Sequence, residues 1–148
     1  MRGWIAALVS VIAYPATACP ATACPEGQTA FLTCDMERGS KALSVCRSET
    51  EVSYRFGPKG GTPELALTRP IGDGAELVPW PGIGRTIWEA VRLRNNAVIY
   101  EVYAGFDKFD AVDDSKPDSR FGGVVVLLDG KGEIAHLKCR AGTVNYSF

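Results

Sequence analysis

The single histidine, His136, is the first residue to weigh for chemistry. Strand alternation puts it with Ile134 and Lys138, opposite Ala135, Leu137 and Cys139. A hydrolytic triad needs a nucleophile and an orienting carboxylate beside the imidazole, and the chain has no G-x-S-x-G turn. A structural or surface role is therefore expected for His136. Asp107, Asp110, Asp113, Asp114 and Asp118 gather in the stretch FDKFDAVDDSKPDSR. Calcium prefers such oxygen-rich loops, but the spacing lacks the alternation and central glycine of an EF-hand. Lys108, Lys116 and Arg120 also offset the charge, so a solvated loop is expected rather than a cation site.

Gly57-Pro58-Lys59-Gly60-Gly61 lacks the following Lys-Ser/Thr and the helix of a phosphate cradle. No cofactor and no metal is expected. A glycosidase-type carboxylate pair needs no sequence motif. A small hydrolase acting on cell-wall sugars or peptides therefore stands as the alternative function.

The residues best suited to recognition are Trp88, Arg92 and Arg94, which share one face of a strand-like segment. Arg55 and Arg85 are candidates to join them. Arginine and aromatic residues anchor protein interfaces, although arginine stems also cover ordinary surface. Trp80, between Pro79 and Pro81, is either a plug closing one end of the core or a contact residue. The plug is expected, since isolated exposed tryptophan is uncommon.

The elements that must position these residues read as β throughout. In Glu51–Phe56, Val52, Tyr54 and Phe56 alternate with Glu51, Ser53 and Arg55, the pattern of a half-buried antiparallel strand. Strands are also expected over 29–34, 42–47 and, at an edge, 64–68. Residues 71–83 are dense in Gly and Pro and read as a loop. Segments 84–94 and 97–105 flank Asn95-Asn96, residues that tolerate a tight hairpin turn. A last hairpin joins 122–129 to 133–139 across Gly130-Lys131-Gly132. The run Val124–Leu128 suggests a central strand or one covered on both faces. The polar tail 140–148 is expected to fray. About eight short strands with local turns predict an all-β, single-domain antiparallel sandwich or small barrel.

The N-terminus sets the compartment. Residues 1–18 have the layout of a signal peptide: Arg2, an apolar run from Trp4 to Ala13, Pro15, then Ala16-Thr17-Ala18. The pentapeptide ATACP occurs twice, at 16–20 and 21–25, so cleavage after Ala23 is an alternative to cleavage after Ala18. Residues 19–28 then form a linker to a β domain over 29–139. Ala16-Thr17-Ala18-Cys19 resembles a lipobox without its leucine, so Cys19 is a lipidation candidate, with an outer-membrane lipoprotein as the alternative to soluble export. The other four cysteines, Cys24, Cys34, Cys46 and Cys139, are disulfide candidates in any of three pairings. They contain no C-x-x-C pair, which argues against zinc.

The formal net charge of −1 excludes the basic footprint of a nucleic-acid protein. No stretch after the leader is long and apolar enough to cross a bilayer. A protein or a cell-wall glycan fits the composition as partner.

F-x-x-C at Phe31–Cys34, L-S-V-C at Leu43–Cys46, Y-R-F-G at Tyr54–Gly57, P-E-L at Pro63–Leu65 and L-x-C at Leu137–Cys139 follow in order. This order resembles a group of small exported proteins of Gram-negative bacteria with no assigned activity. The likeness spans most of the chain after the leader, and its motifs are structural. A weaker likeness is to bacterial periplasmic lysozyme inhibitors, small exported disulfide-bearing β-barrels. Their inhibitory loop motif is not matched, so no site residue carries over. The resemblance implies a periplasmic or secreted, non-catalytic envelope protein, either macromolecule-binding or inhibitor-like.

Overall fold

The computed structural model describes residues 24–113 and 118–147. The expected leader, its cleavage points, Cys19, Asp114 and Lys116 lie outside the described residues.

Nine strands fall into two antiparallel sheets. The first sheet is β1 (Thr29–Asp35), β2 (Lys41–Arg47), β3 (Glu51–Pro58) and β4 (Leu65–Pro70), paired in that order. The second is β5 (Ala75–Val78), β6 (Thr86–Asn95), β7 (Val98–Asp107), β8 (Arg120–Leu128) and β9 (Gly132–Lys138), again in order. Neighbours in each sheet are thus consecutive in sequence. The arrangement is a sandwich of two sheets and not a closed barrel. One 3-10 turn, Asp110–Val112, interrupts the β7–β8 connection.

Alternation explains the core. Leu43 and Val45 of β2 pair with Phe56 and Tyr54 of β3, all pointing inward. Val91 and Leu93 of β6, Val102 and Ala104 of β7 and Val124 of β8 face them from the second sheet, fully buried. The Tyr54 and Tyr100 rings meet across the sheets at 5.2 Å between centroids. Burial pushes the Tyr54 phenol up, with Tyr100 adding to it, so it stays protonated in the core.

The hairpin at Asn95-Asn96 forms as its residues dictate, with Asn96 the one positive-φ non-glycine among the described residues. Three expectations need correction. The Gly/Pro-rich stretch 71–83 contains a strand, β5, which is short and buries only Ala75. The Val124–Leu128 run lies inside its sheet as one reading expected, β8 pairing with both β7 and β9, but it is not covered on both faces: Val124 is buried, whereas Val125 and Leu127 are half-exposed on the outer side. Finally, the tail does not fray. Asn145 exchanges both backbone hydrogen bonds with Thr33, and the Ser147 amide donates to the Ala30 carbonyl, so residues 143–147 line the edge of β1. Val144 is buried, and the Tyr146 ring stacks on Phe106 at 6.4 Å. Thr143, Val144, Tyr146 and Phe148 are β-formers, but the partner that orders this stretch is a strand edge more than a hundred residues upstream.

Of the three open pairings, the structure adopts Cys24–Cys46 and Cys34–Cys139. The first ties the segment before β1 to the outer side of β2. The second ties β1 to the end of β9 across 105 residues. Both bridges therefore hold the first sheet.

An aromatic and ion-paired sheet face

The register of the second sheet lays out its outer face in rows. Trp88 of β6 stands opposite Gly105 of β7, which stands opposite Phe121 of β8. The next row is Val78, Ala90, Tyr103, Gly123 and Lys138, and the third is Glu76, Arg92, Glu101, Val125 and His136. Arg94, Ile99, Leu127 and Glu133 follow. Side chains in a row stand on one face because directly opposed residues of antiparallel strands do so.

The glycines in this grid are seats for rings. A Cβ at Gly105 would lie 2.7 Å from the tip of the Phe121 ring and 2.9 Å from the Trp88 Cβ. A Cβ at Gly123 would lie 2.7 Å from the Tyr103 hydroxyl. Each ring reclines across the glycine opposite it, the device that lets an aromatic cover a bare stretch of sheet. Tyr103 reaches Phe121 at 6.2 Å and His136 at 5.7 Å between centroids. Phe121, Tyr103 and His136 thus form a chain of tilted rings, 43° and 69° between successive planes, with Trp88 beside it on β6; His136 is exposed and the others half-exposed.

Several polar groups on this face are paired with one another. Arg92 donates to Glu101 at 2.6 Å and reaches Glu76 at 3.5 Å. The Glu101 hydrogen bond is the main reason the Arg92 guanidinium is raised above its ordinary value. Arg94 pairs with Asp129 at 2.8 Å. The Tyr103 hydroxyl and His136 Nε2 share a hydrogen bond at 2.7 Å. Burial, then the Glu133 charge, pushes the Tyr103 phenol up and keeps it protonated. At the β5 end the face deepens into a groove of about 560 Å³, lined among others by Ile71, Glu76, Leu77, Arg92, Arg94 and Ile99.

Trp88, Arg92 and Arg94 are thus brought together as the alternation implied. Arg55 is not with them. It lies on the outer side of β3 in the first sheet, opposite Ser44, across the sandwich from Arg92. Arg85 also stands apart: it pairs with Asp107 and, at 3.1 Å, with Asp110. Trp80 does not plug the core. It is half-buried in the loop after β5, and its indole N–H donates to the Ile83 carbonyl at 3.1 Å.

The aspartates expected in a solvated loop are partly engaged. Burial pushes the Asp107 carboxyl up. The Arg85 hydrogen bond, with the Asp110 and Phe109 amides, outweighs this and holds it below its ordinary value. Arg120 does the same for Asp118. These directions are the reverse of what a general acid requires. Among the described residues, no group of three metal-ligating side chains converges. The carboxylates nearest the groove, Glu76 and Glu101, both contact the Arg92 guanidinium.

Sequence reasoning missed Tyr103, Phe121, Glu101 and Glu76. A signal was present: Tyr103-Ala-Gly105 and Phe121-Gly-Gly123 repeat an aromatic-x-Gly spacing, which puts ring and glycine on one strand face. Only the register reveals that each ring covers the other strand's glycine.

No protein-family model, no curated protein and no solved structure matches the chain. Among the described residues, no helix is long and apolar enough to cross a membrane.

Proposed function

We propose that this chain is an exported, non-catalytic binding module of the bacterial envelope, with its contact surface on the outer face of the five-stranded sheet. The observation that carries the reading is the reclining of Phe121 and Tyr103 over Gly105 and Gly123. That packing leaves a cluster of half-exposed aromatic rings, tilted to one another, beside the Arg92–Glu101 pair. Tyrosine, tryptophan and arginine carry most of the energy at contact surfaces.

Export accounts for the disulfides, which persist in oxidising compartments. The pairing uses Cys24, Cys34, Cys46 and Cys139, leaving Cys19 as the odd cysteine. Removal of Cys19 by cleavage after Ala23, or its lipidation, leaves every remaining thiol paired. The mature protein is then periplasmic or secreted, or held at the outer membrane by a lipid.

The test is differential capture from a cell-envelope fraction by immobilised, oxidised protein. The wild type and Arg55→Ala should retain the same partner, while Trp88→Ala/Arg92→Ala should lose it. Equal retention by all three proteins would contradict the assignment of the face.

A further inference from the structure

We propose that the free edge of β9 pairs with β9 of a second copy of this chain, antiparallel about a twofold axis. The five-stranded sheets of two molecules then join into one continuous sheet. The proposal goes beyond the contact-face reading and does not depend on it.

The sheet edges are not alike. Residues 143–147 line the β1 edge. β4 ends on Pro70, and the Arg69 guanidinium donates to the Thr68 carbonyl beside it. β5 has four residues. β9 is seven residues long, contains no proline and is exposed at nearly every position. A strand edge with free N–H and C=O groups is completed by another strand.

The hydrogen bonds show where this edge is open. The Cys139 amide donates to the Gly122 carbonyl of β8, whereas the Lys138 carbonyl accepts from the Glu37 amide on the other side. Backbone groups alternate in direction along a strand, so His136, like Lys138, turns its N–H and C=O away from β8. Glu37 covers Lys138, which leaves 132–137 as the open stretch. At its centre is a bulge: Glu133 pairs with Leu127 and Ala135 with Val126, so Ile134 is the extra residue. Glu133 and His136 are therefore successive positions on the outer face, both with backbone groups toward the open edge.

A twofold axis through the bulge makes this stretch its own complement. It sets Glu133 of each copy opposite His136 of the other, and each such pair exchanges both backbone hydrogen bonds. The second copy's Glu133 carboxylate then meets His136 directly and Lys138 on the diagonal, within reach of a long side chain. Among the described residues, Glu133 and Lys138 make no ion pair within the molecule. The Tyr103 hydroxyl occupies His136 Nε2, which leaves Nδ1 for that carboxylate. Ile134 meets its counterpart at the axis, and Leu137 lies against the second copy's Gly132. Ile134 and Leu137 are among the few large apolar side chains exposed on the molecule.

The experiment is sedimentation equilibrium of the oxidised mature protein over a concentration series. A seam of one strand pair is at the small end of specific interfaces and should give a dissociation constant on the order of 10–100 μM. Glu133→Lys brings like charges to Lys138 and should weaken the dimer by about tenfold, as should Lys138→Glu. Glu133→Lys/Lys138→Glu exchanges the charges and should restore association to within about threefold of wild type, which separates loss of the seam from loss of folding. Trp88→Ala/Arg92→Ala should associate as wild type. Hydrogen exchange at the Glu133 and His136 amides should slow as concentration rises, with the β4 amides unchanged.

A protein that stays monomeric up to about 1 mM would overturn the proposal. So would a dimer indifferent to Glu133→Lys, or one that the charge exchange fails to restore. Association lost in Trp88→Ala/Arg92→Ala and kept in Glu133→Lys would move the second copy to the contact face and remove this seam.

Discussion

The two sheets share a core but are constrained differently. The four-stranded sheet is fastened on both sides: Cys24–Cys46 holds its outer side, Cys34–Cys139 joins its β1 to the end of β9, and residues 143–147 line its β1 edge. Its β2 is buried at every interior position. The five-stranded sheet has no bridge within it and leaves its outer face open. Its β9 is exposed at nearly every residue. The difference teaches where this fold places its constraints: both bridges and the tail converge on the four-stranded sheet, while the outer face of the five-stranded sheet carries rings and ion pairs.

The largest test of that division is removal of a staple. Replacing Cys34 and Cys139 by Ala opens a loop of 105 residues and should cost about 4–5 kcal/mol in the chain-entropy account. Cys24→Ala/Cys46→Ala opens a loop of 22 residues and should cost roughly 3 kcal/mol. Urea denaturation checks both. If partner capture falls while the protein remains folded, the difference between the sheets is broken.

Deletion of residues 143–148 is next. It takes Val144 out of the core and Tyr146 off Phe106, an expected loss of roughly 2–4 kcal/mol. A freely frayed tail would give none.

These elements also show how far the sequence alone carries. The alternation of β3 and the Asn95-Asn96 turn were legible because period and turn chemistry are local. β5 was hidden because its residues sit among glycines and prolines and its single buried side chain, Ala75, leaves no periodic signature. The tail was hidden because what orders it is a distant strand edge. For the site, parity put Trp88, Arg92 and Arg94 on one face correctly. Parity says nothing about which sheet a strand joins, and Arg55 was misplaced for that reason. The ring seats depend on a cross-strand register that no single strand encodes.

Gly105→Ala and Gly123→Ala sharpen the comparison. Each added methyl meets a backbone oxygen at 2.5 Å as well as an aromatic side chain, so each should cost roughly 1–3 kcal/mol. Each should also lift its ring, seen as a change in near-UV circular dichroism. If these variants fold and bind as wild type, the rings are not seated as described.

Trp88→Ala and Arg92→Ala should lie at the opposite extreme. Trp88 is half-exposed, and Arg92 is in a partly exposed ion pair, so each should cost within about 1 kcal/mol in stability. The same variants should abolish partner capture. A large loss of stability would make this face structural.

The smallest effect concerns acid. The folded-state value of Asp107 is depressed, so its pairing with Arg85 contributes stability above the unfolded carboxylate value of about pH 4 and loses it as pH falls through the lower folded value. Proteolytic nicking within the β7–β8 connection should rise below that pH, and Arg85→Ala should produce the same nicking at neutral pH. The first sheet should show neither change.

The difference between the sheets is tested most directly by differential capture from a cell-envelope fraction with immobilised, oxidised protein. The account predicts that Arg55→Ala, on the four-stranded sheet, retains the wild-type partner, while Trp88→Ala/Arg92→Ala, on the five-stranded sheet, loses it. Equal retention by all three proteins, or loss with Arg55→Ala alone, would contradict it.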